Sequence, residues 1–140
     1  MLAEQILQLQ SVYPKQVSAQ IGYDQGISHR IEAASDFFVM PSRFEPCGLN
    51  QLYSLRYGAI PIVHAVGGLR DSVIDINEKN GTGITYAGHS SGNLSIALHR
   101  GVELFRDSKR MADVIKTGMQ ADYSWAASAQ KYIHIYNQLG

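Results

Sequence analysis

The chain has 140 residues, 45% of them hydrophobic, and its twelve Lys and Arg balance twelve Asp and Glu for a formal net charge of zero. That length allows one domain at most, and the apolar fraction marks a globular chain, not a disordered one. No basic run points to nucleic acid or an anionic membrane surface, no apolar run reaches the length of a membrane span, and one cysteine excludes an internal disulfide.

Leu2, Ile6, Leu9 and Tyr13 recur at helical spacing up to Pro14, which predicts an amphipathic helix. Val17, Ala19 and Ile21 alternate and run into Gly22, which predicts a strand. Ile27, Ile31 and Ala34 mark a short helix, and the apolar run Phe37 to Met40 predicts a strand buried on both faces. A helix is expected from Gly48 to Tyr57, closed by Gly58. Ile60 to His64 reads as the next strand, with Pro61 at its beginning or on an unpaired side because it lacks an N–H. Gly67 and Gly68 make a sharp turn into a short helix holding Leu69 and Val73. After a polar stretch with a turn at Asn80-Gly81, Ile84 to Tyr86 is a last short strand.

Beyond it the pattern is helical throughout. Leu94, Leu98, Val102 and Phe105 share one face behind Ser90 and Ser91 as cap candidates, and Met111, Val114, Ile115 and Met119 share another. Asp122-Tyr123-Ser124-Trp125 opens a final helix carrying Ala129, Tyr132, Ile133 and Tyr136. The expected fold is α/β: a Rossmann-like open parallel sheet flanked by helices, ending in an all-helical C-terminal segment.

The stretch from Pro41 to Gly58 carries the chemistry. Arg43, Glu45 and Cys47 crowd one loop stiffened by Pro46, and Gly48 starts the helix. The first N–H groups of a helix lack intrahelical partners and sit at the positive end of its dipole, so they suit a phosphate. A glutamate beside them can accept hydrogen bonds from the hydroxyls of a sugar. These residues alone point to an anion-and-hydroxyl site on a strand–loop–helix corner.

The run Ser42-Arg43-Phe44-Glu45-Pro46-Cys47-Gly48-Leu49, followed by Gln51-Leu52-Tyr53 and Arg56-Tyr57-Gly58, closely resembles the donor-site motif of bacterial glycogen synthases and plant starch synthases. These are retaining glucosyltransferases with the two-Rossmann-domain architecture called GT-B. Gly22-Tyr23 with Ser28-His29-Arg30 resembles a further segment of the family, as do Pro61-Ile62-Val63, Gly67-Gly68-Leu69-Arg70-Asp71 and Asp122-Tyr123-Ser124-Trp125. The resemblance runs from about Gln20 to the last helix, in the family's order.

It implies that Glu45 is the catalytic-site carboxylate that binds the glucose hydroxyls of the donor, and that Gly48, Leu49 and Asn50 offer backbone N–H groups to the sugar or diphosphate. Many family members have Thr at the position of Asn50; a main-chain contact survives that difference and a hydroxyl contact does not. Tyr23 matches the aromatic that stacks on the nucleotide base. Tyr53 stands where other retaining GT-B enzymes place a second Glu, and a Tyr there agrees with the glycogen synthase branch. Cys47 is read as lining the site, its thiolate favoured by the helix N-terminus, against inert packing. Arg43 either approaches the phosphates or pairs with a neighbouring carboxylate. Gly67 and Gly68 permit close backbone approach beside the sugar, or make a bare turn.

The five histidines lack metal-ligand spacing. His64, His89, His99 and His134 read as surface or packing residues, and His29 as structural. Gly81-Thr82-Gly83 lacks the third glycine of a dinucleotide fingerprint, Tyr86 standing there, and no Walker, HExxH or paired CxxC sequence occurs. No metal or cofactor is expected. Two glycosylation sequons, at Asn80 and Asn93, read as chance, because Met1 to Gln5 is no signal-peptide start; a cytoplasmic protein is expected.

The resemblance implies ADP-glucose as donor and an α-1,4-glucan acceptor held by an amino-terminal domain. That domain, its Lys-x-Gly-Gly-type motif and catalytic-region His, and the Arg and Lys that neutralise the donor diphosphate have no counterpart in these residues. Residues 1–140 are therefore expected to form a single, partial GT-B C-terminal nucleotide-sugar-binding domain, inactive alone, with an exposed face that would drive self-association. Two other readings stay open: a non-catalytic nucleotide-sugar-binding or regulatory module, and a sister GT-B transferase such as sucrose or trehalose-phosphate synthase, against which Tyr53 argues.

Overall fold

The computed structural model describes residues 2–139; Met1 and Gly140, which the expected 1–140 domain includes, lie outside the described residues. The elements are α1 (Leu2–Val12), α2 (Gln25–Ala34), β1 (Phe37–Met40), α3 (Asn50–Tyr57), β2 (Ile60–His64), α4 (Gly67–Ser72), β3 (Ile84–Tyr86), α5 (Ser91–Arg106), α6 (Ser108–Gln120) and α7 (Trp125–Leu139). The three strands form one parallel sheet in the order β1-β2-β3, with Phe37 opposite Ile60 and Ile62 opposite Ile84. This is the expected Rossmann-like α/β arrangement with a helical C-terminal segment.

The core follows the alternation of β2, which is buried along its whole length. Ile60 packs with Leu104, Met111 and Val114, and Ile62 with Ile84 and Ala97, so this face is covered by α5 and α6. Val63 turns the other way, onto Leu69 and Val73 at α4. Pro61 is tolerated in the central strand for a local reason. Ile60 N–H donates to Asp36 on the β1 side, so the Pro61 nitrogen faces β3, whose ladder begins only at Ile62.

Side chains cap the starts of α2, α5, α6 and α7, while α3 and α4 have no side-chain cap. Asp24 accepts from Ile27 N–H at 2.8 Å, Ser90 from Asn93 N–H at 3.1 Å and Asp107 from Arg110 N–H at 3.0 Å. Ser124 Oγ accepts from Ala127 N–H at 3.2 Å ahead of α7. Gly58, at φ 87°, closes α3.

Several expectations are corrected. α3 begins at Asn50, not Gly48, because Gly48 takes φ 75°, outside the helical region. The face of α5 expected from Leu94, Leu98, Val102 and Phe105 is largely exposed; the helix instead buries Ala97, Gly101 and Leu104, whose small residues let it approach Ile62 and Ile84. Residues 17–21 form no strand: alternation offers a face to bury, but no described strand lies alongside to pair its backbone, and Ala19 N–H instead donates to Gln10 Oε1 at 2.5 Å. β1 is not buried on both faces. It is the edge of the sheet, its residues are half-buried, and Val39 stays 41% exposed. The apolar faces of α1 and α7 contribute no buried residue to this core.

Candidate functional site

Parallel α/β sheets present their ligand sites outside the carboxyl ends of the strands. The loop from Pro41 to Leu49 occupies that position, running from the end of β1 to α3. It is held at three places. His64, the last residue of β2, places Nδ1 2.7 Å from the Ser42 carbonyl. Gly68 N–H donates to the Glu45 carbonyl at 3.1 Å. Gln51, buried at 1% exposure, donates through Nε2 to the carbonyls of Cys47 (3.2 Å) and Gly48 (3.0 Å) and to Ser72 Oγ (3.0 Å).

The glycine pair acts on this loop directly. A Cβ on Gly68 would fall on the Cys47 carbonyl, 2.6 Å from its Cα, and one on Gly67 would fall on the Glu45 carbonyl. Gly67 also takes φ 44°, which L side chains rarely adopt. The close approach is thus made to the protein's own loop, which brings α4 against the residues around Glu45.

Glu45 is half-buried, and its carboxylate accepts a 3.4 Å hydrogen bond from Ser42 Oγ. Leu49 and Asn50 are exposed, and no side chain caps the start of α3. Gly48 lies at φ 75°, where a Cβ would meet Gln51 Oε1 at 2.6 Å. Cys47 is a free, exposed thiol whose Sγ lies 3.5 Å from the Gly48 carbonyl. Arg43 is exposed and pairs with no carboxylate among the described residues. Glu45, Cys47, Gly48, Gly67 and Gly68 therefore form one cluster.

Tyr23 stands apart from it, 92% exposed, at a cleft of about 250 Å³ lined also by Gln20, Asp24, Ile27, Ser28 and Phe38. His29 of α2 packs against α3. Its ring meets Tyr53 of α3 edge-on at 5.5 Å, while its Nδ1 lies 3.4 Å from buried Glu32. Among the described residues no group of three His, Cys, Asp or Glu is placed to hold a metal, and no helix is long and apolar enough to cross a membrane.

No protein-family model matches the chain. It is 48% identical over 138 residues to the glycogen synthase of Myxococcus xanthus (strain DK1622), covering 99% of this chain and 28% of that protein. The catalytic domain of starch synthase IV from Arabidopsis thaliana, bound to ADP and acarbose, aligns with a TM-score of 0.83 at 34% identity, over 96% of this chain and 29% of that one. The chain is a homologue of the glycogen and starch synthases.

Its α/β fold matches a GT-B glycosyltransferase domain, and it spans about 28% of the length of the curated relatives it matches. The glycogen synthase of Flavobacterium johnsoniae is 45% identical over 136 residues. Sucrose-phosphate synthase from Thermosynechococcus elongatus is less similar, with a TM-score of 0.68 at 27% identity over 97% of this chain and 34% of that one.

In this synthase homologue three site-supporting residues escaped the sequence reading. Ser42 and Gln51 lie inside the motif but were assigned no role, and His64 was read only as a surface or packing residue. Its place at the carboxyl end of a buried strand was the available signal. His64 stacks on Tyr86, ring centroids 5.4 Å apart, and meets His89 edge-on at 4.5 Å. Burial pushes the Tyr86 phenol above its ordinary value. Tyr123 of the Asp122–Trp125 segment donates its hydroxyl to the Ser72 carbonyl at 2.6 Å, tying the approach to α7 onto the end of α4.

Proposed function

We propose that the protein containing this chain transfers glucose from ADP-glucose to the non-reducing end of an α-1,4-glucan with retention, and that residues 1–140 supply a large part of its donor-binding domain. The observation that carries the reading is the loop holding Glu45, clamped at the carboxyl edge of the sheet beside an uncapped helix start, in a chain 48% identical to a glycogen synthase. A neighbour in structure binds ADP and acarbose, which supports a nucleotide donor and a glucan-like acceptor.

In this reading Glu45 accepts hydrogen bonds from the glucose hydroxyls, strongest where charge on the sugar changes during transfer. The N–H groups of Gly48, Leu49 and Asn50 stabilise the departing diphosphate, with Arg43, which has no carboxylate partner among the described residues, as a nearby cation. Tyr23 stacks on the base, Tyr53 and Cys47 line the donor, and Gly67 and Gly68 seat the loop. The bond from glucose to diphosphate breaks and the bond to the glucan forms on the same face of the sugar. The acceptor site and the basic residues facing the diphosphate belong, in this reading, to residues outside these 140, so this chain alone binds donor and does not turn it over. A cytoplasmic location belongs to the same proposal. So does self-association through the exposed apolar side chains of α1 and α7, which sedimentation velocity reads.

Calorimetric titration of the chain with ADP and with ADP-glucose tests the reading. Glu45→Ala should weaken ADP-glucose by roughly tenfold or more, the worth of a charge-assisted hydrogen bond, and spare ADP. Tyr23→Ala should weaken both ligands. A folded chain that binds neither, or a Glu45→Ala variant that binds ADP-glucose as before, would sink it.

A further inference from the structure

We propose that His64 is a positioning residue for the sugar-binding part of the donor site, acting through Ser42 on Glu45. The inference rests on the reading of Glu45 as the group that takes the donor's glucose hydroxyls.

The Ser42 carbonyl can only accept, so the 2.7 Å contact makes His64 Nδ1 the donor and leaves the ring proton on that nitrogen. The ring is 4% exposed and cannot swing away: Tyr86 stacks on it and His89 abuts it edge-on. The residue whose backbone His64 holds is the residue whose hydroxyl reaches the Glu45 carboxylate, at 3.4 Å. Two bonds thus connect the rigid central strand to the reactive carboxylate. The other anchors grip the loop elsewhere: Gly68 holds the Glu45 main chain, and Gln51 holds Cys47 and Gly48. Among the contacts described, only the His64 bond fixes the point from which the Ser42 side chain departs. An outer hydrogen bond of this kind sets the direction of the inner group, and a site held loosely by it loses geometry before it loses its residues.

Packing and hydrogen bonding can be separated by two substitutions. His64→Phe keeps an aromatic ring between Tyr86 and His89 and removes the N–H. His64→Asn keeps an N–H near the Nδ1 position and removes most of the ring. In the unliganded chain, nitrogen-detected NMR of the wild type should show the Nδ1–H form of His64. His64→Phe should shift the Glu45 carboxyl and Gly68 amide resonances, while His64→Asn should leave them near their wild-type positions. In calorimetry His64→Phe should weaken ADP-glucose roughly three- to tenfold, the worth of one hydrogen bond, and leave ADP unchanged; His64→Asn should recover most of that loss.

A wild-type ring with its proton on Nε2 and none on Nδ1 overturns the proposal. So does a His64→Phe chain with unmoved Glu45 resonances, or one that binds ADP-glucose as the wild type does. If the wild-type chain binds ADP-glucose no better than ADP, the reading of Glu45 fails by itself. The link from His64 through Ser42 to Glu45 is then judged by the resonances of the free chain.

Discussion

Gly68 donates its backbone N–H to the Glu45 carbonyl at 3.1 Å, and this bond joins the start of α4 to the loop between β1 and α3. The contact exists because neither Gly67 nor Gly68 carries a Cβ. A side chain at either position would occupy the space of the loop's own carbonyls. The glycine pair therefore acts on the candidate carboxylate from outside its motif.

Gly68→Ala should be destabilising and should weaken ADP-glucose binding together. The added methyl would lie 2.6 Å from Cys47 Cα, against backbone that cannot give way as a flexible side chain can. Overpacking of this kind costs about 1–3 kcal/mol. Urea unfolding reads the stability and titration reads the site; a variant with wild-type values in both would contradict the close approach.

Gln51→Leu should cost about 1–3 kcal/mol, because hydrogen-bond acceptors in a part-buried setting lose their donor. The carbonyls of Cys47 and Gly48 and the hydroxyl of Ser72 are the groups left behind. The buried Gln51 Oε1, which has no partner among the described residues, would be removed as well and offsets part of the loss. The shift in urea midpoint at constant slope is the readout.

Stability should fall in acid through Asp75. Burial pushes its carboxyl up, but hydrogen bonds from Arg100 and from the N–H groups of Thr85 and Asn77 outweigh burial and hold it below its ordinary value. A group lowered on folding contributes stability that is complete above its unfolded value, about 3.9, and disappears as the pH falls through the folded value. Exposed Asp122, lowered by the N–H and hydroxyl of Ser124, acts in the same direction. Thermal unfolding from pH 6 down to pH 2 should therefore show a smaller acid loss in Asp75→Asn than in the wild type, starting from a lower plateau. Parallel curves for the two chains would rule Asp75 out.

Leu104→Ala and Trp125→Ala should behave oppositely for residues of comparable hydrophobic character. Leu104 is 2% exposed among Ile60, Met111 and Val114, so its truncation should cost about 2–5 kcal/mol. Trp125 is 90% exposed, and its truncation in this chain should stay within about 0.5 kcal/mol. Denaturant curves of both variants check the contrast, and a large loss at Trp125 would mean that α7 packs on the core in solution.

Much of the architecture was legible because it is written in local terms. Ser90 and the run from Ile60 to His64 each report on a few neighbouring residues, and α5 and β2 appear where those signals stand, although α5 buries Ala97, Gly101 and Leu104 and not the face read from Leu98, Val102 and Phe105. The segment from Val17 to Ile21 shows the limit. Its alternation satisfies the side-chain half of a strand, while the backbone half depends on a partner that residue spacing does not reveal. The same holds for β1, whose apolar run reads as interior although its place at the sheet edge leaves Val39 exposed.

At the site the division is similar. The motif from Ser42 to Gly58 singles out Glu45 and the approach to α3 as candidates, because those residues are contiguous and their chemistry is carried by residue type, although the helix begins at Asn50 and not at Gly48. What holds the loop around Glu45 comes from residues distant in sequence: His64 at the end of β2, bonded to the Ser42 carbonyl, and Gly68 at the start of α4, bonded to the Glu45 carbonyl. The sequence by itself determined the α/β class, most of the helices and the candidate loop, since caps, periodicity and a short motif act over a few residues; the start of α3 moved from Gly48 to Asn50 because Gly48 takes a positive φ. Only the tertiary structure decided which strand is the edge, which glycines touch the loop and which histidine bonds to it, since each depends on backbone atoms brought together by the parallel sheet.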